Sequence, residues 1–544
     1  MRPLPIMGSG RMRWDMARAW ALIERARWLL ASEQGAIVKD WGGRLPIALI
    51  FPNAYFVGMS SLGLQTVYGL LNSFSDVVCE RAFLNLGKSS SDVETLSIES
   101  QRSLKDFPVI GFSLSYELDY PNVIRILRDA GIPPLASERQ RSPLVIAGGP
   151  AISANPLPLA PILDVVLIGE LEDVAQDLTT ALWALASKQA DLDYLTNVPG
   201  LYVPGYHTDM GSVRRVWTKH LDDWETATVV ATGYTEFPNM HLVEVARGCG
   251  RSCRFCLAGH IYRPVRERSI DSVLSMASKG LAQGRTIGLL APSLSDSRGL
   301  RPVLKYLVGA GARVSLSSLR ADSLDEDLMA DIVAAGNDTL TIAPEAGCPR
   351  LRDLIGKEMD TAAILGAAAL AEAYGFRELK LYFMIGLPTE TEDDIREAVS
   401  LVRQVRAAFS RRLVVNVSCF VPKPNTPFQW LGMTSVPKLE SRLAAFTRAL
   451  RGTGVTVRSE SPQWSLLQAA LARGDERIGL ALATVGDFSR QALLKAFAGA
   501  GIEIESLVGP RAVGEPLPWD VVESGLPPGY LRRQAAALWG SNGA

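Results

Sequence analysis

Short apolar runs alternate with amphipathic stretches along most of this chain. Between residues 45 and 190 the runs PIALIF (46–51), VVCERAF (77–83), PVIGFS (108–113), PLVIAG (143–148) and LDVVLIG (163–169) predict strands. Helical periodicity fills most of the gaps, as in LGLQTVYGLLN and in YPNVIRILRDAG, which Gly131 closes. Near-continuous apolar strands separated by helices predict a parallel sheet covered on both faces, the doubly wound arrangement. Ligands of such sheets sit beyond the carboxyl ends of the strands, where the strand order reverses.

A second series begins near residue 240. HLVEVA, TIGLLA (286–291), RVSLSS (313–318), DTLTIA (338–343), ELKLYFM (378–384) and LVVNVSC (413–419) predict six strands, with helices near 269–283, 297–310, 323–335, 361–374 and 391–408. Six strand–helix units predict a partial (β/α)6 TIM-like barrel whose functional groups lie on the loops after the strands. The α/β chain thus divides into an N-terminal helical segment (1–44), a Rossmann-like domain (45–190), a linker with a short hairpin (191–235), the barrel (236–458) and a mostly helical C-terminal region (459–544).

Composition narrows the function classes. With 544 residues and 47% hydrophobic content, the chain supports several cores, and its net charge of −1 supplies no global field for nucleic acid or anionic membrane. The region from residue 460 carries seven basic and nine acidic residues, which argues against a nucleic-acid-binding tail. The longest uncharged stretch, Ser142 to Leu163, contains five prolines, so no transmembrane segment is expected. The opening contains Trp14, Trp20 and Trp28, and its acidic Asp15, Glu24 and Glu33 favour a packing helix over a transit peptide. Cys79, Cys348 and Cys419 are scattered in apolar context and read as buried thiols of a reducing, cytoplasmic environment.

The other three cysteines, Cys249, Cys253 and Cys256, fall within ARGCGRSCRFCLAGH, directly after the first barrel strand. Three thiolates from one loop suit three irons of a [4Fe–4S] cluster and leave the fourth iron open, whereas purely electron-transferring clusters take four cysteines. His260, four residues on, keeps a Cys3His zinc site as the rival reading. Six arginines (247, 251, 254, 263, 266, 268) surround the loop, either neutralising an anionic ligand or forming a solvated rim. VPKPNTPFQW (421–430) either walls a substrate cavity or turns the chain.

The Cys-x3-Cys-x2-Cys spacing, with Phe255 before the third cysteine, resembles the signature of the radical S-adenosylmethionine (radical SAM) enzymes. The resemblance implies a [4Fe–4S] cluster on Cys249, Cys253 and Cys256 that binds and reductively cleaves S-adenosylmethionine, supplied with electrons by a reductant such as flavodoxin or ferredoxin. Candidate S-adenosylmethionine contacts, placed by their positions after the strands, are Phe255, Ser293, Ser318, Arg320, Glu345, Met384 and Gly386; Ser295 is a further candidate. Arg320 suits a carboxylate, Glu345 an amino group or ribose, and YFMIGLPTET resembles the family segment that lies along adenine.

The order of the two domains resembles the cobalamin-binding class of this superfamily. IALIFPNAYFVGMSSLG, IAGGPAISANP and VVLIGELED carry the likeness, and about residues 20–480 resemble a poorly characterised fusion subfamily. By position, the implied cobalamin contacts are Ser113, Ser115, Gly148, Gly149, Pro150, Gly169 and Glu170. The expected activity is a cobalamin-dependent methyltransferase acting on an unactivated carbon, with other radical SAM chemistry on a degenerate first domain as the alternative. The domain contains none of the chain's histidines (His207, His220, His241, His260), so it supplies no histidine as a lower cobalt ligand.

Overall fold

The computed structural model describes residues 9–85, 94–139, 143–207 and 212–539, with side chains from residue 20 to 537 within them. The Trp14 and Asp15 side chains lie outside that set. A helix spans Ser9–Ala31, and its described part packs Ala26 and Leu29 onto the first sheet.

That sheet contains β1 (Leu45–Phe51), β2 (Val77–Phe83), β3 (Val109–Ser113), β4 (Leu144–Gly148), β5 (Val165–Leu167) and β6 (Leu201–Tyr202). Its order is β2-β1-β3-β4-β5-β6, parallel throughout except for β6, which runs antiparallel to β5. The five expected strands are present, and the order reverses between β1 and β3. Successive side chains alternate between faces. Ile47, Leu49 and Cys79 join one core with helices Leu62–Ser73 and Ala175–Ala186, while Ala48, Ile50, Ile110, Phe112 and Val145 join the other.

The second face holds the main departure from the sequence reading. Helix Tyr120–Asp129 covers part of it, and the C-terminal helices Pro462–Arg473, Glu476–Thr484 and Arg490–Gly499 cover much of the rest. Asn155 Nδ2 donates to the carbonyls of Ala472 (3.0 Å) and Gly474 (2.8 Å), and Arg128 donates to those of Ala483 and Val485. The C-terminal region is therefore part of the first core. The expected hairpin between 191 and 235 is also absent from its described residues. β6 extends the first sheet, and β7 (Val213–Arg214) pairs in parallel with a strand near the C-terminus.

The second series contains β8 (Met240–Glu244), the short antiparallel pair β9 (Ala246–Arg247) and β10 (Arg266–Glu267), then β11 (Thr286–Leu290), β12 (Val314–Leu316), β13 (Thr339–Glu345), β14 (Glu378–Ile385), β15 (Arg412–Cys419) and β16 (Val455–Ser459); β17 (Val522–Glu523) partners β7. All six expected strands appear, and β16 adds a seventh in the series. They form two parallel blocks, β12-β11-β8 and β13-β14-β15-β16, which meet where the Leu319 amide donates to the Thr341 carbonyl at 3.4 Å. Helices Ile270–Leu281, Leu300–Gly309, Glu326–Ala334, Thr361–Ala373 and Glu392–Ala408 pack against one shared core. Among the described residues no helix is long and apolar enough to cross a membrane.

Candidate active site

The cysteine loop leaves the end of β8 through a narrow neck, because β9 and β10 pair Arg247 with Arg266 and Ala246 with Glu267. Gly248 makes the turn possible: its φ is +84°, and a Cβ there would meet the Tyr262 carbonyl. Cys249, Cys253 and Cys256 are all partly exposed on this one loop. Amide hydrogens of Ala258 and Gly259 point at the Cys256 sulfur and oppose the upward push of burial on its thiol. Burial pushes the Cys253 thiol up to about 11, so binding a metal there displaces a proton.

His260 is not gathered with the three cysteines around one position among the described residues. Its Nδ1 lies 2.8 Å from the Cys256 carbonyl, and its ring packs 6.1 Å from that of Tyr530. Among the described residues no three His, Cys, Asp or Glu side chains converge on a single-ion position. A cubane distributes three thiolates over three irons, which is the donor set this loop offers.

The neighbouring strand ends reach the same loop. The Arg254 amide donates to the Ile355 carbonyl at 2.8 Å, and a Cβ on Gly356 (φ +68°) would press on the Ser252 carbonyl. The next two residues bring in two expected contacts. Lys357 Nζ lies 2.8 Å from Glu345 Oε1, and the Glu358 carbonyl accepts from Arg320 at 2.7 Å. Ser293 Oγ donates to Asp296 at 2.6 Å, and Asp296 pairs with Arg251 of the cysteine loop at 2.5 Å. Ser295 Oγ accepts from the Arg320 amide. Phe255 and Met384 pack onto one apolar cluster with Phe420 and Phe428.

Three further expected residues have these surroundings in the chain. Arg320 is paired through Nε and Nη2 to Asp322 (2.9 and 2.7 Å), so its carboxylate partner comes from the chain. Ser318 is exposed. Gly386 does adopt a positive φ, +87°, but the group crowding its α-carbon is Leu439, 2.5 Å from a would-be Cβ.

Most of the arginines around the loop are paired within the chain, and Arg251 alone pairs at an exposed position. Arg247 pairs with Glu170 (2.9 Å), Glu172 (2.8 Å) and Glu244 (2.9 Å). Arg266 grips Glu170 through both Nη atoms at 2.8 Å, and Arg268 pairs with Glu244 at 2.9 Å. Arg254 and Arg263 cap backbone carbonyls. Burial pushes the Glu170 carboxyl up, but Arg266 and Arg247 outweigh it and hold the group below the usual carboxylate range. VPKPNTPFQW likewise serves as an interdomain brace. Asn425 donates to the Ala154 carbonyl at 2.8 Å, Lys423 pairs with Glu117 at 2.6 Å, and Phe428 is fully buried.

Between the first sheet and the cysteine loop lies a mostly apolar cavity of about 440 Å³. Ser113, Ser115, Gly148, Gly149, Pro150, Gly169 and Glu170 all line it, from the ends of β3, β4 and β5. It continues over the sheet face between Leu70 and Leu71 on one helix and Leu178 and Leu182 on another. Its far wall is Glu244, Ala246, Arg247, Tyr262 and Pro292 of the second series. No histidine lines it among the described residues. A Cβ at Gly148 would meet only Leu167, at 3.8 Å, so the bare backbone leaves that volume to the cavity.

Comparison with known proteins agrees with this arrangement. Residues 243–402 match the radical SAM superfamily, and residues 63–204 match the N-terminal domain of radical SAM proteins. An uncharacterized protein of Methanocaldococcus jannaschii is 32% identical over 438 residues, covering 79% of this chain and 89% of that protein. A tRNA-2-methylthio-N(6)-dimethylallyladenosine synthase of Sorangium cellulosum is 27% identical over 190 residues, 30% of this chain and 38% of the relative. The structure of the radical S-adenosylmethionine methyltransferase TsrM from Kitasatospora setae, with cobalamin and a [4Fe-4S] cluster bound, superposes with a TM-score of 0.50. It is 14% identical and matched over 84% of this chain and all of that one, a likeness of fold.

Proposed function

This chain belongs to the radical SAM superfamily, and from that premise we propose that it is a cobalamin-dependent methyltransferase acting on an unactivated carbon. One observation carries the reading: seven residues at three strand ends of the first sheet line a single cavity, and Ala246 and Arg247, just before Cys249, form its opposite wall. The volume lies in the range of small-molecule pockets, about 300–1,000 Å³. TsrM, which shares the fold, holds cobalamin and a [4Fe-4S] cluster.

The residues present fit both groups. Cys249, Cys253 and Cys256 offer the cluster its thiolates, with the Ala258 and Gly259 amides at one sulfur. Gly148, Gly149 and the Ser113 and Ser115 hydroxyls offer a polar-amide macrocycle a close backbone approach and hydrogen-bonding partners, while the leucine slot suits an apolar nucleotide base. Among the described residues the lining would offer a bound cobalamin no imidazole. When bound, the cluster supplies the electron that cleaves S-adenosylmethionine, and cobalamin supplies a methyl carrier. The chain's proposed contribution is to hold the two on facing walls. A reductant of the flavodoxin or ferredoxin class is the proposed electron donor.

Methylthio transfer, named for the Sorangium relative's class, is the competing reaction. Sulfur insertion calls for a second cluster. The remaining cysteines occupy three different settings: Cys79 within β2, Cys348 hydrogen-bonded to Asp394 at 3.0 Å, and Cys419 at the end of β15. Anaerobic turnover with methyl-labelled S-adenosylmethionine and a cell-extract metabolite pool separates the readings. A product gaining a labelled methyl, dependent on added cobalamin, supports the proposal; a product gaining sulfur, or one formed equally without cobalamin, overturns it.

A further inference from the structure

The neck of the cysteine loop presents an electrostatic problem. Arg247 and Arg266 stand directly opposite each other across β9 and β10, and both are largely buried. Like charges facing across a ladder repel, more strongly where water is scarce. Glu172 (2.8 Å) and Glu244 (2.9 Å) pair with Arg247 alone, whereas Glu170 bridges both arginines. Glu170 Oε2 accepts from Arg247 Nη1 at 2.9 Å and from Arg266 Nη1 at 2.8 Å, while its Oε1 accepts from Arg266 Nη2 at 2.8 Å. The Thr218 amide donates to the same Oε2 at 3.0 Å.

Glu170 is itself firmly placed. It follows β5, and its amide donates to the Val216 carbonyl at 3.1 Å. Gly169 before it has φ +122°, and a Cβ there would collide with the same carbonyl, so the backbones lie in direct contact. The carboxylate that closes the loop thus belongs to the other domain and to the cavity wall. We infer that Glu170 is a positioning residue for the iron–sulfur loop: it holds the two ends of the loop together and so sets the orientation of the three thiolates and of S-adenosylmethionine at the open iron.

The test compares Glu170→Gln with wild type after anaerobic cluster reconstitution, reading iron content, the electron paramagnetic resonance spectrum of the reduced cluster with and without S-adenosylmethionine, and the Kd for S-adenosylmethionine. Glu99→Gln, which removes a buried charge from the Arg81 pair elsewhere in the first domain, is the control for general stability. The expected result is wild-type iron content in Glu170→Gln, a diminished spectral response to S-adenosylmethionine and a Kd raised roughly tenfold or more, as for groups that orient metal ligands. The Glu99→Gln spectrum and Kd stay as in wild type. Should Glu170→Gln not be recovered folded, Arg266→Lys keeps the charge and loses the two-pronged grip, and the same spectral and affinity changes are expected. A wild-type spectrum and Kd in the folded variant, or equal changes in Glu99→Gln, overturns the assignment.

Discussion

Asn53 Nδ2 donates to Asp119 Oδ1 at 2.8 Å, tying the loop after β1 to the segment after β3 across the point where the strand order reverses. Asn122 adds a second tie, to the Pro52 carbonyl at 2.9 Å. Burial pushes the Asp119 carboxyl up to about 6, although Asn53 and Asn122 favour its charged form.

A pH dependence follows. Between about pH 4 and 6 the folded chain binds more protons at Asp119 than the unfolded chain does, so this group's contribution to stability falls as pH rises through that window and is flat above it. Asp119→Asn keeps an acceptor for Asn53 without the charge. Its unfolding free energy at pH 7 is expected to exceed that of wild type by up to about 3 kcal/mol, with no difference below pH 4. Urea titrations of both proteins at pH 4 and pH 7 check this.

The C-terminal helices are expected to behave as core. Leu467 is fully buried among residues facing the first sheet, although roughly 300 residues separate it from that sheet in sequence. Leu467→Ala is expected to lower stability by about 2–5 kcal/mol, as a central sheet substitution such as Ile110→Ala does. Denaturant unfolding measures both, and a loss below about 1 kcal/mol for Leu467→Ala alone would mark the region as a loosely attached appendage.

Gly386 is expected to tolerate no side chain. Its amide donates to Glu390 at 2.8 Å, Glu390 pairs with Arg442 at 2.8 Å, and Leu439 occupies the space a Cβ would need. Gly386→Ala combines left-handed backbone with overpacking, for a loss of about 2–4 kcal/mol. Thermal unfolding reads the loss, and S-adenosylmethionine binding to the reconstituted variant is expected to weaken with it.

The sequence made the local and periodic features legible. Each apolar run from PIALIF to LVVNVSC became a strand, and Ser113, Gly148 and Glu170, named by position from the family resemblance, line one cavity. β16 went unpredicted because its core signal is only the alternation of Val455 and Val457 in a largely exposed edge strand. The pairing of the arginines was only partly legible: Glu244 lies three residues before Arg247, but 96 residues separate Glu170 from Arg266. Arg320 shows the opposite limit, since Asp322 was two residues away and pairing with it competes with pairing to a ligand. The C-terminal region read as mostly helical, but helicity does not name the surface that its apolar side chains cover.

The central claim is that the cavity beside the cysteine loop holds cobalamin, and Gly148 tests it most directly. Gly148→Leu places a side chain where the backbone now borders open volume, away from the cysteines. Corrinoid retained per chain after anaerobic reconstitution and gel filtration is the measurement. One cobalamin per wild-type chain, lost in Gly148→Leu while the cluster absorbance stays, is the expected result. A wild-type chain that retains none, or a variant that retains as much as wild type, contradicts the account.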